Sequence, residues 1–330
     1  MRVKRLAITI PFLFSAILCL ANESATFDDV KIRRHKSSND RMLVDKVGVL
    51  TFEKGGQELI FSDRAGDTFK VRYDDISKVI FEVTTHMHGP TLSTVVLTGV
   101  GGGALGGIAN AMHVHDSWLY LEYKNGDQNE QVLLDVPKES SEQVIAKAKS
   151  LFGSRVSMPE FQEKGEAIQK GEDLDEKHVP DLRSKHTVKV DKNNHPLPET
   201  RADKATVIVV CPSLAARYAG HGNQFKLHAN DHVIAVNKLG TYSFAYLDPG
   251  QYNLVSQSEN ANGFKIELEA GRSYYFLQNT FEGIVKGRTM LSRNSPEIVM
   301  YELNGSYFSD WKRQLKPNES VPASIAAATK

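Results

Sequence analysis

Apolar side chains recur at every second position along much of this chain, the period of a strand with one buried and one wet face. In "SKVIFEV", Val79, Phe81 and Val83 share one face while Lys78 and Glu82 take the other. "KVGVLTF", "QELIFS" and "DTFKVRY" precede it, punctuated by Gly55, Gly56 and Gly66, and the polar "DDIS" leads into it. "SWLYLEYK" and "EQVLLDV" come later, joined at "NGD", where Asn-Gly accepts positive φ cheaply and predicts a hairpin. The period then changes. Val144, Ile145, Ala148, Leu151 and Phe152 form a stripe at helical spacing, with Ser140 and Gln143 as a capping-box pair and Gly153 as the stop. Residues 42–153 thus predict an antiparallel β roll closed by a C-terminal helix.

From 154 to 203 the apolar pattern dissolves into charge and proline, and the segment is expected to be a flexible, charged linker. His178, His186 and His195 lie there at spacings that fit no standard ligand set. Alternation resumes at 204–305. "ATVIVVCPS", "QFKLHAN", "HVIAVNKLG", "YSFAYLD", "QYNLVSQS", "GFKIELEAG", "RSYYFLQN" and "PEIVMYEL" are eight candidate strands. Phe264, Ile266 and Leu268 are expected inward, with Lys265, Glu267 and Glu269 outward. Asp248, Pro249 and Gly250 set a tight turn. Short, evenly spaced strands predict a β-sandwich, and 306–330 is expected to be a C-terminal tail. The fold class is mainly β.

The first residues add a compartment. "MRVKR" is a cationic start and "LAITIPFLFSAILCLA" an apolar core followed by small residues, so 1–21 read as a signal peptide with cleavage before Asn22. Lipidation at Cys19 is the alternative, though Leu18 is a poor residue before a lipidated cysteine. The protein is expected to be exported, periplasmic or secreted, with membrane attachment left open. Lys plus Arg and Asp plus Glu both number 40, so no global field attracts nucleic acid. "KIRRHK" at 31–36 reads as a solvated basic tail. With Cys19 removed, Cys211 is alone, no internal disulfide forms, and a thiol within "ATVIVVCPS" is a packed core residue rather than a nucleophile.

Two resemblances accompany these patterns. The stretch from "KVGVLTFEKGGQELIF" through "FKVRYDDISKVIFE" to "SEQVIAKAKSLFG" resembles bacterial pleckstrin-homology-like domains. "LDPGQYNL" followed by "LEAGRSYYF", within 204–305, looks like the bacterial envelope family called domain of unknown function 2846. That second resemblance implies a prealbumin-like sandwich on an exported protein, with no catalytic residues to carry over.

Between the two halves of the first domain lies "HMHGPTLSTVVLTGVGGGALGGIANAMHVH", residues 86–115, without a charged residue and with seven glycines. Four readings compete. Gly99-x-Gly101-x-x-Ala104 after a strand-like run, with Glu122 downstream, would cradle a dinucleotide only inside a βαβ unit. Gly99, Gly103, Gly107 and Ala111 repeat every four residues, as in helices that pack closely in lipid, and 90–112 could nearly span a hydrocarbon core of roughly 30 Å. His86 and His88 on one strand and His113 and His115 on its neighbour could converge on zinc or copper, with Asp116 behind them. The plainest reading is an elaborated connection between paired strands, touching a partner, a membrane or a second copy.

No G-x-S-x-G, H-E-x-x-H, Walker loop or paired-cysteine zinc frame is present. His221, His228 and His232 fall in expected loops of the second domain. The leading expectation is a non-catalytic, exported, envelope-associated binding or structural protein that needs no cofactor. Its partners would be a protein, an envelope surface or itself. The alternatives are a metal-binding protein built on the His-x-His pairs, and a hydrolase assembled from distant loops.

Overall fold

The computed structural model describes residues 24–87, 113–159, 166–168, 185–213, 223–258, 261–281 and 287–313. The protein is mainly β, with two α-helices among those residues. It divides into two compact units: one holds the described residues up to Met87 with His113–Pro159, the other those from Glu160 onward.

In the first unit the strands are β1 (Ala25–Lys36), β2 (Met42–Glu53), β3 (Glu58–Asp63), β4 (Thr68–Arg72), β5 (Ile76–Met87), β6 (His113–Asn125), β7 (Gln128–Asp135) and β8 (Val156–Ser157). Helix α1 (Lys138–Phe152) lies between β7 and β8. One eight-stranded sheet runs β4-β3-β2-β1-β7-β6-β5-β8, antiparallel except for the short β5–β8 pairing. The sheet curls on itself. Phe69 on β4 reaches His35 on β1, ring centroids 4.4 Å apart, and Tyr123 on β6, 5.6 Å apart. The curl encloses Leu50, Phe52, Leu59, Phe61, Phe81, Leu119, Leu121 and Val132, all essentially without exposed surface. α1 closes the core with Val144, Ala148 and Phe152, whose ring meets Tyr73 edge-on at 5.4 Å. Gly48 is required where β2 crosses β3: a Cβ there would overlap the Ser62 carbonyl.

The helix stop at Gly153, φ 54°, follows the expectation, but the capping box does not. α1 starts after Pro137, and Ser141 bonds the Lys138 carbonyl instead. Proline already fixes the entry φ and has no N–H to satisfy. The expected wet face of β5 is also corrected. Ile80 and Glu82 are buried, as are Trp118, Tyr120 and Leu133 on the neighbouring strands, while Val83 is exposed.

The second unit has two sheets. The six-stranded one runs β10 (His186–Asp191), β19 (Tyr307–Arg313), β14 (Thr241–Leu247), β11 (Ala205–Cys211), β17 (Ser273–Phe281) and β18 (Arg288–Arg293). The five-stranded one runs β13 (His232–Asn237), β12 (Phe225–Ala229), β15 (Gly250–Gln257), β16 (Ala261–Leu268) and β9 (Glu166–Ile168). One apolar cluster draws Val207, Val209, Ala245 and Phe276 from the first sheet and Leu227, Leu254, Ile266 and Leu268 from the second. Lys265 and Glu267 face solvent as expected; for Phe264 only the backbone is described. Helix α2 (Pro296–Asn304) buries Ile298, Val299 and Leu303.

Four expectations fail here, three of them for one physical reason. "KIRRHK" is no tail but the end of β1, paired with β2 and β7. Residues 186–191, inside the expected linker, pair along their whole length with β19, itself inside the expected tail. Residues 166–168 add to the edge of β16. In each case a partner distant in sequence supplies the ladder that local composition does not signal. The fourth is "PEIVMYEL", a helix rather than a strand: a short apolar run carries neither period, and Ser295-Pro296 is a helix start.

Candidate functional site

The root of the glycine-rich segment is an extended two-stranded ribbon. β5 and β6 pair from Ile76↔Tyr123 to Met87↔His113, through Glu82↔Trp118 and Val83↔Ser117. The antiparallel pairing rules out the βαβ unit that a dinucleotide site needs. Glu122, the acid that reading required, instead accepts the Tyr120 hydroxyl at 2.9 Å. Because residues 87 and 113 are cross-strand partners, the chain leaves and re-enters the sheet at one place, as a single membrane crossing would not allow. Among the described residues no helix is long and apolar enough to cross a membrane. Gly99, Gly103, Gly107 and Ala111 lie outside the described residues.

His86 stands opposite Val114, His113 opposite Met87 and His115 opposite Thr85. The two pairs are therefore out of step by one residue on neighbouring strands, and His88 lies outside the described residues. No group of three or more metal-ligating side chains occurs among the described residues.

The remaining sequence candidates are dispersed. Cys211 is fully buried against Phe225 and Leu239, and burial pushes its thiol pKa far up, as expected of a packed core residue. His186 and His228 belong to β10 and β12 and are buried, rather than lying in a linker and a loop; His228 meets the Gln257 side chain at 3.0 Å. His195 and His232 are exposed, and His178 and His221 lie outside the described residues.

Three polar constellations escaped the sequence. Arg33, 4 % exposed, reaches Asp45 at 3.5 Å and lies over the Trp118 ring, 5.4 Å from its centroid. In the second unit a chain of buried side chains joins both sheets. Ser243 Oγ donates to Asn237 at 2.6 Å, Asn237 Nδ2 to Gln278 at 3.2 Å and Gln278 Nε2 to Ser256 at 2.7 Å; Ser256 meets Thr289 at 2.6 Å. The third lies at one end of the first unit. His35 Nδ1 meets the Lys36 carbonyl at 2.5 Å and Nε2 the Tyr123 hydroxyl at 2.6 Å. Tyr123 in turn bonds Glu130 Oε2 at 2.6 Å, and Asn125 holds Oε1 at 2.8 Å. Tyr123 and Glu130 are direct partners on β6 and β7. Only alternation breaking at a polar residue could have flagged these groups, and single positions do not distinguish that from ordinary surface.

The chain matches no protein-family model, and no curated protein matches it.

Proposed function

We propose that this is an exported, non-catalytic binding protein of the cell envelope, with two β modules and a contact surface carried by the segment between β5 and β6. The first unit is read as a pleckstrin-homology-like roll, a reading supported by the order β4-β3-β2-β1-β7-β6-β5 and the helix that follows β7. The second is read as a sandwich related to domain of unknown function 2846, supported by an apolar core shared between two sheets. Export rests on the cationic start and apolar run of residues 1–21, which lie outside the described residues.

The observation that carries the binding reading is the pairing of Met87 with His113. An uncharged, glycine-rich stretch joined at both ends to the paired strands β5 and β6 occupies the position that recognition loops take on β scaffolds. Its partner is an envelope surface, a protein or a second copy. Replacing 88–112 by Asn-Gly tests this in fractionated cells and by sedimentation of the purified chain. The variant is expected to stay folded and lose envelope association or self-association. Unchanged partitioning and oligomeric state in a folded variant would refute the reading.

A further inference from the structure

The three contacts around His35 require more hydrogens than their groups carry in their ordinary states. A carbonyl oxygen only accepts, so Nδ1, 2.5 Å from the Lys36 carbonyl, must bear a hydrogen. One hydrogen must lie between Nε2 and the Tyr123 oxygen, and another between that oxygen and Glu130 Oε2, both pairs being 2.6 Å apart. That makes three. A neutral imidazole brings one, the phenol one and a carboxylate none. The arrangement is complete only with one further proton, held as imidazolium beside carboxylate or as neutral imidazole beside carboxylic acid.

We propose that His35, Tyr123 and Glu130 form a binding site for a single proton, which completes the hydrogen-bonded link between the end of β1 and the β6–β7 hairpin. With the proton bound, Nδ1–H donates to the Lys36 carbonyl, Nε2 and the Tyr123 oxygen share a hydrogen, and so do that oxygen and Glu130. When it leaves, the one Tyr123 hydrogen can serve His35 or Glu130, and the other contact opens. The Phe69 ring from β4 lies against His35, and Leu43 on β2 is its cross-strand partner; both are buried. Lys36 follows His35 on β1 and is paired with Asp40 at 2.9 Å, Arg41 in the same turn is paired with Asp67 at 3.5 Å, and Glu130 lies 3.6 Å from Nε2. Burial makes His35 harder to protonate, while the Lys36 carbonyl and Glu130 make it easier; the Tyr123 hydroxyl holds Glu130 below the usual carboxylate range. These opposed tendencies set the loading of the site on the acid side of an ordinary histidine. The inference concerns the roll itself and is independent of what the β5–β6 ribbon contacts.

The full chain with nitrogen-15 in its histidines provides the test, read by imidazole nitrogen shifts through a pH titration. His35 is expected to carry hydrogen on Nδ1 alone at high pH and on both nitrogens after a single acid step, with the Glu130 carboxyl carbon moving in the same step. Tyr123→Phe removes the bridging hydroxyl and is expected to uncouple the two groups and move the midpoint by about one pH unit. Should that variant not fold, Glu130→Gln at the more exposed end is expected to move the step further to acid. A His35 that stays singly protonated until acid unfolding, or a midpoint unmoved in the folded variant, overturns the proposal.

Discussion

Met87 stands directly opposite His113 in the ladder of β5 and β6, although the whole glycine-rich segment lies between them in sequence. A two-residue Asn-Gly loop closes such a pair without disturbing its register. The chain with 88–112 replaced by Asn-Gly is therefore expected to keep its far-ultraviolet spectrum and the thermal transition of the first unit. A lost transition would mean that the segment supports the first unit rather than being carried by it.

How far the fold could be read follows from which interactions are local. β2 to β7 and α1 follow alternation, turn residues and a helical stripe, all properties of neighbouring positions. The Asn125-Gly126 hairpin is one instance: Gly126 takes φ 62° between Asn125 and Gln128, which pair. β10 and β19 could not be read this way. "HTVKVD" and "YFSDWKR" are short and flanked by charged stretches, and each finds its ladder partner far away in sequence. Site geometry was still less legible. The His-x-His pairs lie where register depends on the start of the ladder, which places His86 opposite Val114 and His115 opposite Thr85. His35, Tyr123 and Glu130 meet through the strand order β1-β7-β6, which pairs the first strand with one far along the chain and which no local pattern announces.

Gln278 connects the two sheets of the second unit through Asn237 and Ser256, and is itself fully buried. Gln278→Leu keeps the volume but leaves both neighbours short of a partner. The expected cost is about 1–3 kcal/mol for each group left unsatisfied, read as a lower urea midpoint at unchanged slope. Replacing Asn237 and Gln278 together by apolar residues is expected to cost less than the sum of the single changes, since the unmatched groups leave together.

Cys211 has no exposed surface, and its raised pKa keeps it protonated at neutral pH. In a chain with Cys19→Ser, an aromatic disulfide reagent at pH 8 is expected to leave Cys211 unmodified until denaturant unfolds the second unit. Rapid labelling of the native chain would place the thiol at an accessible site and reopen the question of a nucleophile.

Residues 195–201 lie within the expected linker, yet they are fastened along β14. The Tyr242 hydroxyl donates to the Pro196 carbonyl at 2.8 Å, Glu199 N–H donates to the Tyr246 hydroxyl at 3.1 Å, and the Arg201 guanidinium lies 3.7 Å from the centroid of the Tyr246 ring. Trypsin is expected to spare the bond after Arg201 in the native chain. Tyr246→Ala removes both the acceptor and the ring, so cleavage there should rise at least about tenfold, the change that roughly 1.4 kcal/mol of lost protection gives. Equal cleavage in both chains would show that these contacts do not hold the segment.

Acid should weaken the first unit, and the sign follows from two groups. His35 has a folded pKa below its ordinary value because burial disfavours the charged ring, so below about pH 6.5 the unfolded chain binds a proton that the folded chain does not yet take. Stability contributed by His35 is thus present above that pH and is lost as pH falls through the folded value. Glu130, held low first by the Tyr123 hydroxyl, adds a second loss that begins near its ordinary value of 4.5 and continues downward. Thermal midpoints of the full chain are expected to fall steadily from pH 7.5 to pH 4. His35→Gln cannot titrate and should flatten the upper part of that fall, so the gap between wild type and variant narrows as the pH drops from 7 to 5. A gap that widens over the same interval would mean that the folded first unit holds its proton more tightly than the unfolded chain, with the carbonyl and Glu130 outweighing burial at His35.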